Sequence, residues 1–449
     1  MGSAAAWRAS AAGLRVLLLE RSPTPSHATG SSHGHSRIIR RTYLQPHYAR
    51  LMNLAYPLWD ELSQASHCGP LRAYSAPDKG VPPLIRHTGG LSLVLRGSAA
   101  HADLLAACAA AGVAVSEVQP AEAAQRWGLT LPQNTVVVLE AGDTGCAIGV
   151  GRCVEALQSA AAALGAHVRL GAEVTGLAAV AHAGAGGRRV VEVGLRGAPP
   201  VRARKVVLCP GAWAGPLLEG ALGLPPLPLQ PLLCSTAYYR LKPGAAGGKE
   251  DLPVTIDWRA QGGRGVYGVP VTAWGEEEEA YSGAYKFAIH DGVPTSAASR
   301  PFAPQAEVSV APVSAWLAQH APLLDPTPLQ GSITTCLYTM TADEDFILDS
   351  LDVRGEAGLA FVCAGFSGHG FKFAPLIGEI AARWARAALE CDAQAGAALD
   401  SASPLRAVEA WLQQATAEAA GKGSKQREGH LEPLLPRFSL SRPSLQPKA

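Results

Sequence analysis

The residue types most suited to chemistry lie in a glycine-rich stretch, GFSGHGFKFAP, which runs from Gly365 to Pro375. Gly365, Gly368 and Gly370 fall within six positions, and a histidine and Lys372 stand among small residues. An apolar strand precedes the stretch and a helix follows it, so the turn presents free N–H groups and the partial positive charge of a helix N-terminus. Glycines there allow a flat or anionic ligand to approach the backbone closely. The stretch predicts a ligand site near the end of the chain.

A second candidate site lies at the beginning of the chain. Ser3–Ala12 is rich in small residues and predicts a helix that Gly13 ends, and Arg15–Glu20 predicts an apolar strand buried on both faces. This order matches the second half of a dinucleotide-binding βαβ unit, in which Glu20 would hydrogen-bond a ribose hydroxyl. An ordinary surface helix followed by an edge strand stays open as the alternative.

The dinucleotide unit is expected to be incomplete. A strand and the fingerprint G-x-G-x-x-G normally precede such a helix, and Gly2 matches only the last glycine. We therefore expect that the first strand and two glycines are missing, and that Met1 is an internal methionine of a longer natural chain. A nucleotide unit and a ligand-cradling turn at opposite ends of the chain predict FAD, with its adenosine at the first and its redox ring at the second.

Composition argues against several classes of partner and site. Of the 449 residues, 38 are Lys or Arg and 37 are Asp or Glu, which gives a formal net charge of +1. This balance favours neither a nucleic acid nor an anionic membrane as partner. No apolar run approaches the ~20 residues that a bilayer requires. The nine cysteines include no C-x-x-C pair, which argues against a disulfide framework and a zinc site.

Hydrophobic periodicity and turn residues predict alternating helices and strands with a strand-rich middle. Helices are predicted over 46–66, 99–111, 119–127, 149–164, 304–320 and 371–389. Strands are predicted over 90–95, 167–170, 190–193, 206–208, 234–241, 254–258, 266–269, 280–289, 332–338, 346–349 and 359–363. The acidic run Glu276–Glu279 predicts a solvated turn, and the polar chain from Gly421 onward predicts a loosely ordered tail.

Seven stretches together resemble one known family in their order and spacing. They are GSSHGHSRIIRRTY, TGGLSLV, VLCPGAW, VYGVP, YKFAIHDG, CLYTMTADEDFILD and AGFSGHGFKFAP. Over nearly the whole chain the sequence resembles the FAD-dependent amine oxidases of the monomeric sarcosine oxidase and L-pipecolate oxidase group. The resemblance implies an α/β (α+β) fold, in which an FAD-binding Rossmann-like domain of the glutathione-reductase type carries an inserted antiparallel-sheet substrate domain.

The expected domains alternate along the chain. The FAD-binding domain is expected in 1–80, truncated at its N-terminus, and in 146–228 and 326–420. The substrate domain is expected in 81–145 and 229–325, and the tail in 421–449.

The resemblance implies catalytic roles for five side chains. Arg40 and Lys372 match two cations that grip a substrate carboxylate, the first by a bidentate fork and the second as a point charge. Lys286 matches a lysine near flavin N5 that assists oxygen by stabilising negative charge. His290 and Tyr267 match residues of the substrate pocket, where we expect positioning rather than proton abstraction. A solvent-facing Lys286 and a surface Arg40 are the structural alternatives.

The resemblance also implies contacts with the cofactor. Cys336 matches the cysteine that forms a thioether to the flavin 8α-methyl group, although a lone strand cysteine is otherwise a core residue. Ser36, Arg37 and His33 match residues beside the flavin ring, and Val174 matches a residue whose backbone meets the adenosine. The remaining expected contacts are Gly2, Glu20, Gly365, Gly368, Gly370 and Lys372.

The sequence thus predicts an oxidase of secondary amino acids such as sarcosine, L-pipecolate or L-proline, which produces an imine and reduces O2 to hydrogen peroxide. A deglycating fructosyl-amino-acid oxidase is the first alternative, and a truncated remnant that binds FAD poorly is the second. We expect a monomer without nucleic-acid, membrane or metal partners. Its location is expected to be peroxisomal or cytoplasmic, although the chain ends in QPKA rather than an SKL-type signal.

Overall fold

The computed structural model describes ten segments of the chain, to which every structural statement below refers. They are residues 1–67, 83–181, 189–223, 227–245, 249–260, 265–271, 280–296, 306–394, 403–421 and 433–445. The acidic run Glu276–Glu279 lies outside these described residues. In the described segments, no helix combines the length and the apolar character needed to cross a membrane.

The helices of the described segments vary from one turn to six. They are α1 Gly2–Ala11, α2 Pro46–His67, α3 Ala99–Ala110, α4 Pro120–Trp127, α5 Val150–Ala163, α6 Ala214–Leu222, α7 Ala311–His320, α8 Ala374–Gln394, α9 Ser403–Gly421 and α10 Leu435–Phe438. Short 3-10 turns cover Gly211–Trp213, Phe371–Phe373 and Pro443–Leu445, and a π-helical turn covers Ala306–Val310.

The strands are mostly short. They are β1 Leu17–Leu19, β2 Ser36–Ile39, β3 Ile85–His87, β4 Gly90–Leu95, β5 Ser116–Val118, β6 Thr135–Glu140, β7 Gly145–Ile148, β8 His167–Arg169, β9 Val174–Ala181, β10 Arg189–Leu195, β11 Ala198–Ala203, β12 Val206–Leu208, β13 Gln230–Tyr239, β14 Val254–Asp257, β15 Val266–Pro270, β16 Tyr285–Ile289, β17 Val293–Pro294, β18 Thr334–Met340, β19 Ile347–Val353 and β20 Glu356–Ala364.

One large sheet combines strands from two distant parts of the chain. Its order is β17-β13-β16-β15-β14-β4-β6-β5, and β18 pairs with β13 outside this path. Strand β14 runs parallel to β4. This pairing joins β4, β5 and β6 to β13, β14, β15, β16 and β17. The cluster of Trp127, Tyr239 and Phe287 packs beneath this sheet with α7. The sheet therefore forms a rigid wall on which β15, β16 and β18 present their side chains.

The nucleotide-type strands form two separate small sheets. In one, β1 pairs in parallel with β8; in the other, β12 pairs in parallel with β20, which also pairs with β19. Helix α1 packs against both β1 and β12. Among the described residues no strand lies between β1 and β12. The two halves therefore flank a gap, and α1 bridges it.

The expectation that the first strand is buried on both faces is wrong. Leu17 is 44% exposed, and Leu18 and Leu19 are only partly buried. Strand β1 is paired along one edge only, and its three leucines line a cavity. The apolar sequence suits a strand with a neighbour along each edge. Among the described residues, β1 has only the neighbour β8.

Helix α1 is packed unusually closely against α8. Ala4 is fully buried, and a Cβ added to Gly378 of α8 would lie 2.5 Å from the Ala4 carbonyl carbon. Small residues on both helices therefore set their separation, which explains the alanine-rich sequence of α1. Trp59 of α2 and Trp384 of α8 fill the same core without exposure to solvent.

Most predicted elements are observed with boundaries shifted by a few residues. The predicted strands 90–95 and 206–208 are β4 and β12, and the predicted helix 46–66 is α2. Eight of the observed strands were not predicted: β2, β3, β5, β6, β7, β9, β11 and β17. In the described part of the tail, α10 and the 3-10 turn after it differ from the expected loose order. Phe438 is 1% exposed, and Arg442 donates hydrogen bonds to Asp343 of 2.7 and 3.0 Å.

Candidate functional site

A single large cavity connects the two predicted ligand sites. Its volume is about 2190 Å³. Glu20 and Val174 line one end, and Cys336 and Lys372 line the other. Residues from the start and from the end of the chain therefore line one extended ligand site.

The glycine turn after β20 is shaped by close approaches. Gly365 and Gly368 have positive φ angles of 61° and 78°. A Cβ added to Gly368 would lie 2.5 Å from the Tyr338 ring and 2.8 Å from the His290 ring. Ser367 also has a positive φ, 44°, and its N–H donates to the Thr339 carbonyl over 3.0 Å. The backbone is thus fixed against the cavity wall before any ligand is considered.

Arg40 and Lys372 meet at one aromatic ring. The Arg40 Cζ atom lies 3.9 Å and the Lys372 Nζ atom 5.5 Å from the centre of the Tyr43 ring. The two cations are 7% and 5% exposed. Arg40 donates to the Thr42 carbonyl, and Lys372 donates to the His369 carbonyl over 2.8 Å. Neither has a carboxylate partner among the described residues, so an anion from outside the chain would complete the site.

Burial governs the charge of both groups. Burial lowers the pKa of Arg40, and burial followed by the Arg40 charge lowers the pKa of Lys372 well below its ordinary value. The pair is therefore costly to keep charged without an anion. Tyr43 was given no role by sequence reasoning. Its position three residues after Arg40, in RRTY, was the available signal.

His290 and Tyr267 lie on the other side of the turn. The Tyr267 and Tyr338 hydroxyls are 3.1 Å apart, and the His290 and Tyr338 ring centres are 5.3 Å apart. Burial, then the charges of Lys372 and Arg40, lower the pKa of His290 to about 4. His290 is therefore a neutral imidazole at neutral pH, close to both cations.

Lys286 is brought to the same cavity from β16. It is 4% exposed, and its Nζ atom donates to the Ser36 carbonyl of β2. Burial, then the neighbouring Arg37 charge, lower its pKa well below the ordinary value. The solvent-facing alternative is therefore wrong. Arg37 itself donates to the Ser31 carbonyl over 2.8 Å, which holds the loop before β2.

Cys336 of β18 lines the cavity near these cations. The S–H group of Cys234, then the Arg37 and Lys286 charges, lower the pKa of Cys336 to about 7 against the opposing effect of burial. A thiolate is the reactive form of cysteine. The site therefore holds a nucleophilic sulfur at neutral pH.

The opposite end of the cavity holds the groups expected at the adenosine. Burial raises the pKa of Glu20, but hydrogen bonds from His27 and from the Ser22 N–H outweigh it, so the pKa is lowered overall. The side chain is therefore a carboxylate at neutral pH. The Ala172 N–H donates to the Glu20 carbonyl over 2.8 Å, which places Val174 close by. Gly2 begins α1, and an added Cβ there would lie 3.7 Å from Cys209. His33, which the resemblance places beside the ring instead, donates a hydrogen bond from Nε2 to the Gly30 carbonyl over 3.1 Å.

The residues fit FAD at this cavity. Buried Lys286, Arg40 and Lys372 have no carboxylate partner in the described segments. The Ser36 hydroxyl and the Trp258 indole N–H are buried without a hydrogen-bond partner there. Trp258 lines the cavity, so its N–H group is available to a polar ligand there. The elongated cavity, with a carboxylate at its nucleotide end, supplies the matching shape.

Comparison with known proteins places these observations in one family. Residues 1–384 match the family described as FAD dependent oxidoreductase. The chain is 32% identical over 371 residues to the peroxisomal sarcosine oxidase of Homo sapiens, covering 82% of this chain and 84% of that protein. It is 28% identical to the N-methyl-L-tryptophan oxidase of Yersinia pestis (strain Pestoides F), covering 86% and 92%.

Solved structures show the same fold. NikD, an unusual amino acid oxidase essential for nikkomycin biosynthesis, matches with a TM-score of 0.67 and 25% identity over 90% of this chain and 94% of that one. The L-proline dehydrogenase from P. horikoshii matches with a TM-score of 0.65 and 18% identity, over 90% and 94%. The predicted fold class is confirmed.

Proposed function

Because the chain belongs to the family of FAD-dependent oxidoreductases, we propose that it oxidises a secondary amino acid to an imine, with FAD as cofactor and O2 as final acceptor. The observation that carries this proposal is the meeting of Arg40 and Lys372 at the Tyr43 ring, buried and without a carboxylate partner among the described residues. Two such cations define the anionic half of an amino-acid substrate.

The substrate carboxylate binds between the two cations. Arg40 offers a planar fork for two parallel hydrogen bonds, and Lys372 offers a point charge. The pKa of Lys372 is held well below its ordinary value by burial and by Arg40. A bound carboxylate offsets both effects and raises the pKa of Lys372 toward its ordinary value.

The amine half of the substrate is held in its neutral form. A third positive charge beside Arg40 and Lys372 is unfavourable, which lowers the pKa of a substrate ammonium group. His290 is neutral above pH of about 4, and accepts a hydrogen bond without adding charge. The Tyr267 and Tyr338 hydroxyls, 3.1 Å apart, close the polar wall beside it. A neutral amine has the free electron pair that oxidation at the adjacent carbon requires.

This chain's own residues hold the cofactor from both ends. Glu20 and the backbone near Val174 would hold the adenosine, and Arg37, Ser36 and the turn at Gly365, Gly368 and Gly370 would hold the ring. Bound FAD supplies a two-electron acceptor for the hydride equivalent that leaves the carbon next to the substrate nitrogen. Cys336 would be the residue that forms a thioether with the cofactor. The imine product is hydrolysed in water or cyclises.

Lys286 provides the positive charge for oxygen. A fixed cation stabilises the negative charge that develops on O2 as it accepts an electron. Lys286 donates a hydrogen bond to the Ser36 carbonyl, which fixes its position. The product of this half-reaction is hydrogen peroxide.

The names of the relatives support a secondary amino acid. Sarcosine and N-methyl-L-tryptophan are both N-methyl amino acids, and they appear in the names of the human and bacterial relatives. We propose sarcosine, L-pipecolate or L-proline as substrate. The name of the human relative supports a peroxisomal rather than a cytoplasmic location.

Peroxide release from the FAD-loaded protein tests the proposal. The protein is incubated with sarcosine, L-pipecolate, L-proline and fructosyl-glycine, and peroxide is measured with a coupled peroxidase. Turnover of one of the first three substrates is expected, and turnover of fructosyl-glycine alone would favour a deglycating oxidase. A protein that binds FAD but releases no peroxide with any of them contradicts the proposal. A protein that retains no FAD favours the alternative of a chain that binds FAD poorly.

A further inference from the structure

Two cysteines face each other across neighbouring strands at the edge of the cavity. Strands β13 and β18 pair antiparallel, and their register places Cys234 directly opposite Cys336. Directly opposed residues project to the same side of a sheet with Cα atoms about 4.5–5.5 Å apart. A disulfide spans Cα atoms about 4.4–6.8 Å apart. The register therefore brings the two cysteines to a separation at which a disulfide is geometrically possible.

The surroundings of the two cysteines are closed to bulk solvent. Cys234 is 1% and Cys336 is 9% exposed, and both pack with Tyr338. Cys336 lines the cavity. Cys234 is packed against Gly292, where its Sγ atom would lie 2.9 Å from an added Cβ. A small oxidant in the cavity thus reaches Cys336 first.

The two thiols are also chemically unequal. The pKa of Cys336 is lowered to about 7 by the S–H group of Cys234, then by the charges of Arg37 and Lys286. The pKa of Cys234 is raised well above its ordinary value by its hydrogen bond to Cys336 and by burial. Cys336 is therefore the nucleophile of the pair, and Cys234 retains its proton.

We propose that Cys234 and Cys336 form a redox pair, which hydrogen peroxide converts into a cross-strand disulfide. The Cys336 thiolate attacks one peroxide oxygen, the O–O bond breaks, and a sulfenic acid and a hydroxide ion form. The hydroxide takes the proton of Cys234, and the Cys234 thiolate attacks the Cys336 sulfur and expels a second hydroxide. In sum, one thiolate, one thiol and one peroxide give a disulfide, one water and one hydroxide. The thiols lose two electrons and the peroxide gains them.

The disulfide has a direct consequence for the cofactor. A sulfur atom bound to Cys234 has no thiolate to offer, so Cys336 cannot form a disulfide and a thioether at the same time. The disulfide therefore forms only in molecules whose Cys336 is not bonded to the cofactor, and the inference rests on the proposed function only for the peroxide that FAD-loaded molecules release. Added peroxide replaces that source, so a failure of the proposed activity leaves the test intact.

Peptide mapping of the flavin-free, fully reduced protein tests the pair. The protein is treated with hydrogen peroxide, free thiols are alkylated, and proteolytic peptides are analysed by mass spectrometry. We expect the peptides containing Cys234 and Cys336 to appear linked, with a mass lower by two hydrogens, and to separate on treatment with dithiothreitol. The rate of linkage should rise with pH around the pKa of about 7 of Cys336.

Variants separate the roles of the two residues. Cys234→Ser should leave Cys336 as a sulfenic acid that dimedone traps, and Cys336→Ser should leave Cys234 alkylated and unoxidised. Cys391→Ser, on α8, is the matched control and should retain the link. Cys209 and Cys363 also lie within hydrogen-bond reach of each other, so the linked peptides must be identified by mass and not by a thiol count. Recovery of Cys234 and Cys336 as separate peptides from the oxidised wild type overturns the proposal and needs no variant to be folded.

Discussion

The two ends of the cavity are built differently. We call the end lined by Cys336 and Lys372 the ring end, and the end lined by Glu20 and Val174 the adenosine end. At the ring end, buried Arg40, Lys372 and Lys286 are each fixed by a hydrogen bond to a backbone carbonyl. At the adenosine end, β1 and β12 belong to separate small sheets, and Leu17 is 44% exposed. The ring end is thus complete in its side chains, while the adenosine end has a gap between two strand edges.

The difference separates chemistry from cofactor retention. The side chains proposed for substrate and oxygen come from the large sheet, from the turn before α8 and, for Arg40, from the end of β2 in the separate sheet β2-β7-β3. These elements lie in well-packed surroundings. The groups proposed for the adenosine come from short strands paired on one edge. Changes at the ring end should therefore alter turnover with little effect on FAD binding, and changes at the adenosine end should do the reverse.

The largest effect is expected from Arg40→Met. Removing one partner of a buried, hydrogen-bonded charge pair costs about 3–4 kcal/mol, which corresponds to a fall in kcat/KM of about 100-fold to 1000-fold. The loss should appear chiefly as a higher KM, because Arg40 binds the substrate carboxylate. The measurement is steady-state peroxide release from protein with a known FAD content.

A neighbouring arginine provides the matched control for Arg40→Met. Arg41 pairs with Asp143 at 3.0 Å and is 24% exposed. Arg41→Gln should leave KM nearly unchanged. If Arg40→Met abolishes FAD binding to the same extent as turnover, the separation of the two ends is wrong.

Lys286→Met should slow oxygen use by about 100-fold, the usual loss for removal of one preorganised charge-stabilising group. Oxidation of the substrate with an artificial electron acceptor should change little, because Lys286 acts only on O2. Oxygen consumption and dye reduction are measured on the same preparation. Lys242→Met removes an exposed lysine bonded to the Pro322 carbonyl and serves as control. Equal loss with both acceptors would place Lys286 in substrate oxidation or folding instead.

Local features were predictable from sequence, and long-range ones were not. Helix α1 was found within one residue because its small residues and Gly13 act locally. The burial of Leu17 was predicted wrongly. An apolar run indicates that a strand can be covered on both faces, but it does not show which neighbouring elements are present. The opposition of Cys234 and Cys336 depends on the register of two distant strands. Their spacing along the chain carries no sign of it.

The candidate site shows the same limit. The family resemblance named Arg40, Lys372 and Lys286, and the structure brings them to one cavity. Their roles remain predictions. Tyr43 was missed because an aromatic ring beside two cations is recognisable only when the cations are known to converge.

A strand supplied between β1 and β12 should strengthen the adenosine end. We expect about five apolar residues followed by Gly-x-Gly, added directly before Met1, to tighten FAD binding. Burial of ~100 Å² of apolar surface is worth about 2.5 kcal/mol, which corresponds to a gain of roughly 70-fold. The dissociation constant is measured by flavin fluorescence, and an extension of equal length made of Gly and Ser is the control. An equal gain with the control, or no gain with either, would mean that the gap is not a strand position.

The smallest effect is expected at the contact between Arg442 of the C-terminal segment and Asp343, which lines the cavity. Burial raises the pKa of Asp343, but hydrogen bonds from Arg442 and Ser444 outweigh this and lower it to about 2. A lowered carboxyl pKa stabilises the fold above pH 4 and loses that contribution as the pH falls from about 4 to about 2. Since this pair is partly exposed, we expect Arg442→Gln to lower the free energy of unfolding by about 1 kcal/mol at neutral pH. Denaturant unfolding at pH 7 and pH 2.5 measures it, and the difference between variant and wild type should shrink at the lower pH. A constant difference would show that Arg442 acts through packing and not through the charge of Asp343.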